Sequence, residues 1–398
     1  MVGIGRGKAD NKAIDGGQPH SHPVRFTVFE RDNPVTIIRS ASTAAIAMTA
    51  VLALAACGSD QTSGGSGGGA SGNSADCPTG TLKAEGSSAQ KNAIEAAIKS
   101  YQTKCTGATI NYNSSGSGAG IKNFTAGQVD FAGSDSALKP EEATAAETQC
   151  GSPAWNLPMV TGPIAIAYNL KGVDGLVLSA EVAAKIFGGA ITTWNDPAIA
   201  ALNAGKTLPA TAIKVYFRSD ESGTTDNFTK YLKAAAGSAA TIEVDKKWKG
   251  TVGEGKEKSA GVASAVKAQD GGVTYVEWSY AKQNSLGIAA INTGSGPVAL
   301  TSESVGAMVA SAAQKGSGND LSLTLDYATK TPGAYPINLV TYEIVCSKYK
   351  DPAKAKLVKS FLTHFASPTV QKALENDGYA PLPAGVATKV AAAITAIG

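Results

Sequence analysis

The chain has 398 residues, 43% of them hydrophobic and 17% charged, with a formal net charge of +3. That is globular composition, with room for two domains of ordinary size. Lys and Arg are scattered and aromatics reach only 6%, which argues against a nucleic-acid groove or a base-stacking platform.

Residues 46–56 read IAMTAVLALAA behind Arg39, an apolar run of signal-peptide length that is too short to span a bilayer. It ends in Leu54-Ala55-Ala56-Cys57, which resembles a bacterial lipobox. The resemblance implies a diacylated Cys57 as the mature N-terminus and a protein held on the outer face of the cell membrane. The segment before the apolar run is long for an n-region, and no internal Met precedes the run, so a later start would need an alternative start codon. Residues 1–56 are therefore set aside as an export segment. Residues 57–76 are rich in Gly and Ser and read as a flexible leash.

Four further cysteines follow, Cys77, Cys105, Cys150 and Cys346. An even number in an exported chain suggests two disulfides, for which three connectivities exist. The favoured one is Cys77–Cys105, clipping the chain start to the end of the first helix, with Cys150–Cys346 joining an early segment to a late one.

Residues 80–85 read as a strand. Helical spacing at Ile94, Ala97, Ile98 and Tyr101 predicts a helix over 89–104, with Ser87 and Gln90 in a capping-box relation. A strand at 109–113, a Ser/Gly turn at 114–120, a helix from Ile121 and a strand at 129–133 follow. The apolar run 158–169 is expected to cross into a second lobe. Helix 180–187, strand 213–217, helix 225–236 and strand 272–278 come next. The alternating run 335–347 looks like the return crossing, and helix 353–366 turns Leu357, Phe361, Leu362 and Phe365 inward. Strand–helix alternation of this kind argues for α/β lobes with loops gathered at strand ends.

The three histidines, His20, His22 and His364, are too few for a His-rich metal centre. His364 alone lies beyond the export segment, and its helical setting favours a helix-face residue over a triad member.

Three places repeat one chemistry, a strand, a Ser/Gly turn and a helix start. They are Gly86-Ser87-Ser88-Ala89, Ser115-Gly116-Ser117-Gly118-Ala119-Gly120 and Ser222-Gly223-Thr224-Thr225. Helix starts leave backbone N–H groups unpaired at the positive end of the dipole, and Ser and Thr hydroxyls add donors. Singly such turns are ordinary caps; together they can cradle an anion. Arg218, at a strand end, adds a planar charged fork suited to a tetrahedral oxyanion, and Asp220 is placed to orient it or to sit solvated in the loop. Asp135 would repel an anion unless that anion carries a proton to donate. Near neutral pH phosphate does and sulfate does not, so a carboxylate there selects between them.

Gly86-Ser87-Ser88, YNSSGSGAGI at 112–121, VDFAGSDSAL at 129–138 and RSDESGT at 218–224, with 157–169 and IFGGAITTWND at 186–196, resemble the phosphate-binding component of the high-affinity ABC phosphate importer. The resemblance extends from Cys77 to the C-terminus. It implies a type II two-lobe periplasmic-binding fold of the α/β class, with a two-crossing hinge and a ligand cleft between lobes. Lobe I would hold residues 77–158 plus 337–398, and lobe II residues 159–336.

Carried over by position, Ser88 gives a hydroxyl, Ala89 an N–H, and Ser117 a hydroxyl and its N–H. Asp135 accepts the phosphate proton, Arg218 gives the charged fork, and Ser222, Gly223 and Thr224 close the second lobe. The family often has Thr and a bulkier residue where this chain has Ser88 and Ala89, so looser packing is expected there. The implied partners are inorganic phosphate and the membrane subunits of an ABC permease. The chain is expected to be monomeric, bound to membrane by its lipid only, without nucleic acid, metal, cofactor or catalytic residues. Alternatives are another oxyanion, a phosphate sensor or scavenger, and an acyl-serine hydrolase. The last rests on Ser88-Ala89-Gln90-Lys91 as S-x-x-K and Ser134-Asp135-Ser136 as a loose S-D-N, and it lacks any K-T-G triplet.

Overall fold

The computed structural model describes residues 77–398. The expected export segment 1–56, the acylated Cys57 and the leash 57–76 lie outside the described residues. The elements begin with β1 (Gly80–Gly86), α1 (Lys91–Lys104), β2 (Ala108–Asn113), α2 (Ser117–Thr125), β3 (Phe131–Ser134), α3 (Pro140–Cys150) and the long β4 (Ala154–Asn169). The middle of the chain supplies β5 (Val177–Ser179), α4 (Ala180–Phe187), α5 (Pro197–Leu202), β6 (Lys214–Arg218), α6 (Gly223–Ala236), β7 (Glu254–Lys256), α7 (Lys258–Ala268), β8 (Gly272–Glu277) and α8 (Trp278–Gln283). Short strands β9 (Gly287–Ile288), β10 (Ala290–Asn292) and β11 (Pro297–Val298), helix α9 (Ser302–Ala310) and the hairpin β12 (Ala313–Gln314) and β13 (Leu323–Thr324) follow. β14 (Asn338–Cys346) then returns, and α10 (Pro352–Phe365), α11 (Pro368–Leu374) and α12 (Ala384–Thr395) close the chain.

A nine-stranded sheet has the order β2-β1-β3-β14-β4-β8-β6-β7, with β9 also on β4. The outer pairs are parallel, β1 with β2 and β3, β6 with β7 and β8. At the centre β14 and β4 run antiparallel to their neighbours and to each other. β4 changes partner along its length. Residues 154–163 pair with β14, and from Ile164 onward the strand pairs with β8. Every residue of β14 is buried, as expected of a strand paired on both sides and covered on both faces.

Apolar side chains fall into three clusters. One gathers the middle of the chain around Phe187, Trp194, Phe228 and Tyr275. A second joins α1, α10 and α12 around Ile94, Tyr101, Phe361 and Phe365, the inward faces that helical spacing assigns. The third surrounds α2, α3 and β14. Leu321, beside the β12–β13 hairpin, belongs to the second cluster, and Asp320 Oδ1 accepts from Asn156 N and Nδ2 at 2.9 and 2.8 Å. This hairpin therefore packs on the outer segments, although it lies late in the middle segment of the sequence.

Disulfides join Cys77 to Cys105 and Cys150 to Cys346. The expected helix over 180–187 has those bounds, while others shift. β4 starts at Ala154, before the apolar run, because it is held along its length by β14. α2 starts at Ser117 rather than Ile121. The Ser87/Gln90 capping box does not form. α1 starts at Lys91 without a side-chain cap, because Ser87 Oγ accepts from Ala89 N at 3.1 Å within the turn and Gln90 Nε2 donates to Tyr112 Oη. His364 lies on α10 with its Nε2 2.7 Å from Ser100 Oγ, a helix-face residue.

Candidate functional site

Four helix starts meet at one buried point. The turn after β1 carries Ser87, Ser88 and Ala89; α2 starts at Ser117; α6 starts at Gly223; and α7 starts at Lys258. Ser88, Ser117, Asp135, Arg218, Ser222, Thr224 and Ser259 are all buried there, polar groups that require partners.

The partners cross between early and middle segments. Ser88 Oγ accepts from Ser259 N at 3.1 Å and lies 3.2 Å from Ser259 Oγ. Ser117 Oγ accepts from Gly223 N and Asp135 N, both at 3.2 Å, and reaches Asp135 Oδ2 at 3.4 Å. Around these, Gly118 N donates to Glu221 O at 3.0 Å, Asn227 Nδ2 to Asp135 O at 2.7 Å, and Ser136 Oγ to Asp226 Oδ2 at 2.5 Å. Tyr280 Oη donates to Ser88 O at 2.9 Å. Further out, Lys122 pairs with Glu221 at 2.9 Å and Lys246 with Glu142 at 2.8 Å. The two segments are thus locked face to face by backbone, hydroxyl and ionic contacts together.

Arg218 ends β6 with 2% exposure. Its Nε donates to Asp220 Oδ1 at 2.7 Å and its Nη2 to Asp220 Oδ2, a two-bonded fork, while Nη1 reaches Ser259 Oγ at 3.3 Å. Asp220 also accepts from Lys258 N at 2.9 Å. Burial raises the Asp220 carboxyl, but the Arg218 bonds and charge outweigh it and leave the group below its ordinary range. Asp220 thus orients Arg218 and is no free loop carboxylate. Asp135 moves the other way. Burial pushes it up, only partly offset by bonds with Ser87, Thr341 and Ser117 and by the Arg218 charge. Thr341 Oγ1 donates to Asp135 Oδ1 at 2.7 Å. A carboxylate so buried is held above its ordinary range while hydroxyls reach both of its oxygens.

The expected residues converge, though not all with free groups. Ala89 N is taken by Ser87 Oγ. Ser222 Oγ caps Thr225 N at 3.3 Å, and Ser222 N donates to Lys246 O at 2.9 Å. Thr224 Oγ1 is buried with no protein partner. Lys91, the second member of S-x-x-K, pairs with Glu95 at 2.6 Å and is 40% exposed, whereas Ser88 is buried against Ser259. Among the described residues no His/Cys/Asp/Glu group could hold a metal ion. Ser259 and Thr341 were not legible as site residues. Ser259 opens a helix without a Gly/Ser turn before it, and Thr341 is one polar position inside an apolar strand.

Helix starts and a guanidinium converging from two α/β halves, joined by paired central strands, define a solute-binding protein of the periplasmic type. Residues 71–369 match the PBP superfamily domain. The chain is 48% identical over 353 residues to Phosphate-binding protein PstS3 of Mycobacterium bovis, covering 87% of this chain and 95% of that protein. It is 45% identical to Phosphate-binding protein PstS 2 of Mycobacterium tuberculosis, covering 90% and 99%. Among solved structures, a high affinity periplasmic phosphate-binding protein bound with phosphate aligns with TM-score 0.64 at 23% identity, covering 79% of this chain and 93% of that one. The phosphate binding protein of Stenotrophomonas maltophilia aligns with TM-score 0.63 at 21% identity, covering 79% and 94%. The chain belongs to the PstS phosphate-binding protein family within the PBP superfamily.

Proposed function

We propose that this protein captures inorganic phosphate between two lobes outside the cytoplasm and delivers it to the membrane subunits of an ABC importer. The observation that carries this reading is the meeting of Ser88, Ser117 and Asp135 with Arg218, Gly223 and Ser259 in one buried set of contacts. Ser88, Ser117 and Thr224 supply hydroxyls and Arg218 the counter-charge, and the Ala89 and Gly223 N–H groups exchange their bonds to Ser87 Oγ and Ser117 Oγ for the anion when it binds. Ser222 acts by capping α6, which keeps the Gly223–Thr224 donors aimed inward.

Closure follows from donors split between lobes. Only the closed state offers both sets to one anion, so the anion shifts the equilibrium toward closure. Asp135 accepts the P–O–H proton. Sulfate has none to give, so two negative groups would be left opposed in a dry site. No covalent bond is made or broken.

The lobes are residues 77–158 plus 337–398 and residues 159–336. One apolar cluster drawn mainly from the middle segment and one drawn mainly from the outer segments support this division, with the β12–β13 hairpin reaching across it. A diacylated Cys57 and the 57–76 leash would hold a monomeric domain close to the permease at the cell surface.

The test is titration calorimetry on the acyl-free domain. Tight phosphate binding with weak or undetectable sulfate binding is expected, and the Asp135→Asn variant should lose the discrimination. Equal affinity of the parent for both anions would refute the role of Asp135, and no phosphate binding would refute the function.

A further inference from the structure

Below the anion site lies a buried carboxyl that phosphate binding as described leaves unused. Glu343 sits on β14, is fully buried, and has no hydrogen-bond partner for Oε1 or Oε2. Its neighbours across the sheet are Gly133 on β3 and Leu157 on β4. A side chain at Gly133 would run into Gln90 Nε2 at 2.0 Å and Tyr112 Oη at 2.6 Å, so Gln90 and Tyr112 fill the space over Glu343's strand partner. Gln90 is itself fully buried, and its Oε1 has no partner either. An unpartnered carboxyl thus stands beside the Gln90 amide, whose Nε2 is the atom nearest Gly133.

From Gln90 the bonds run one way. Nε2 donates to Tyr112 Oη at 3.0 Å, and Tyr112 Oη donates to Ser87 O at 2.8 Å. Ser87 N in turn donates to Gly133 O at 2.8 Å, and Ser87 Oγ holds Ala89 N. An ionised carboxylate buried without a donor carries a large desolvation cost. A neutral carboxylic acid avoids that cost and leaves Gln90 Nε2 to Tyr112 Oη.

We propose that Glu343, as a neutral acid beside Gln90, is a positioning residue that sets the Ser87–Ser88–Ala89 turn through Gln90 and Tyr112. The inference rests on the phosphate-binding reading of that turn. If Glu343 loses its proton it needs a donor, and the Gln90 amide must turn its Nε2 toward it. Gln90 Oε1 then takes the Tyr112 proton, and Ser87 O loses its bond. The proton on Glu343 is thereby linked to the geometry of the Ser88 and Ala89 donors.

The electrostatic surroundings agree. Burial pushes the Glu343 carboxyl up to about 8, the nearby Gln90 amide opposes this, and the Asp135 charge adds to it. The titratable groups facing it are Asp135 beyond β3, Tyr112 of β2 and Tyr349 beyond β14, both tyrosines being raised by burial and further by the Glu343 charge. Leu157 on β4 contributes no charge. Glu277 and Arg218 act on the same cluster through Asp135.

The test is the phosphate Kd from pH 6.5 to 9.5 for the parent, Glu343→Gln and Tyr112→Phe. Ionisation of free phosphate is common to all three and cancels in ratios. A group titrating near 8 that must stay protonated for tight binding weakens the parent relative to Glu343→Gln by up to about thirty-fold at pH 9.5, against the ratio at pH 7. Tyr112→Phe cuts the chain after Gln90, so it should bind more weakly at every pH and lack the high-pH fall. Coincident profiles of parent and Glu343→Gln overturn the inference. Should Glu343→Gln fail to fold, Tyr112→Phe decides, and retention of the full parental fall overturns it. Phosphate binding with coincident profiles sinks this inference alone; no phosphate binding by the parent at any pH overturns both it and the functional reading.

Discussion

Gly223→Ala tests closure most directly. A Cβ at Gly223 would stand 2.5 Å from Asp135 Cβ and 2.6 Å from Ser117 Oγ. Neither neighbour can retreat easily. Asp135 is tied through Thr341 at 2.7 Å, Asn227 at 2.7 Å and Ser117 at 3.2 Å. Overpacking of this kind costs about 1–3 kcal/mol, and loss of the Gly223 N–H bond to Ser117 adds about 0.5–1.5 kcal/mol. The sum, about 2–4 kcal/mol, corresponds to roughly thirty- to several-hundred-fold weaker phosphate binding. The clash exists only when Gly223 faces Asp135, so a ligand-free, open protein should melt close to the parental temperature. Calorimetric Kd together with thermal unfolding, each with and without phosphate, separates the two effects. An affinity within threefold of the parent would show that these residues are not opposed in the liganded state. An equal loss of stability without phosphate would show that the contact is permanent and is not made by closure.

Three further variants probe the charges. Arg218→Ala should weaken phosphate binding by more than a hundredfold in calorimetry, since removing one partner of a buried pair costs about 3–5 kcal/mol; Arg218→Lys should not restore it, because only a planar fork spans Asp220 and Ser259. An alanine variant within tenfold of the parent would count against the site. Thr341→Val keeps the shape but removes a donor that favours ionised Asp135. Burial already raises this carboxyl, so its charge is lost as pH falls through its pKa. Without Thr341 that loss should begin at higher pH, and an unmoved acid limb of the affinity profile would exclude the proposed role.

Much of the site could be read from local chemistry. Each Ser/Gly turn announces a helix start within a few residues, and Arg218 with Asp220 sits in one short loop. What stayed hidden depends on tertiary approach. Ser259 enters because α7 brings its first turn against Ser88, 171 residues away in sequence. Thr341 matters because β14 lies next to β3 in register with Ser134 and Gly133. The Ser87/Gln90 pattern looked like a capping box, but Gln90 is claimed by Tyr112 on β2, a competition that no local window contains. Likewise β4 outruns its apolar stretch because β14 holds its polar start.

The Cys150–Cys346 bridge stands at the neck of the middle segment. Cys150 ends α3 just before β4 leaves, and Cys346 is the last residue of β14 on its return. A sequence separation of 196 is closed into a ring, and ring closure of that size removes about 5 kcal/mol of chain entropy from the unfolded state on a loop-entropy estimate. Heat or denaturant can melt the middle of the molecule while its two ends stay stitched together. Renaturation then starts from a tethered loop whose exit and entry are already side by side.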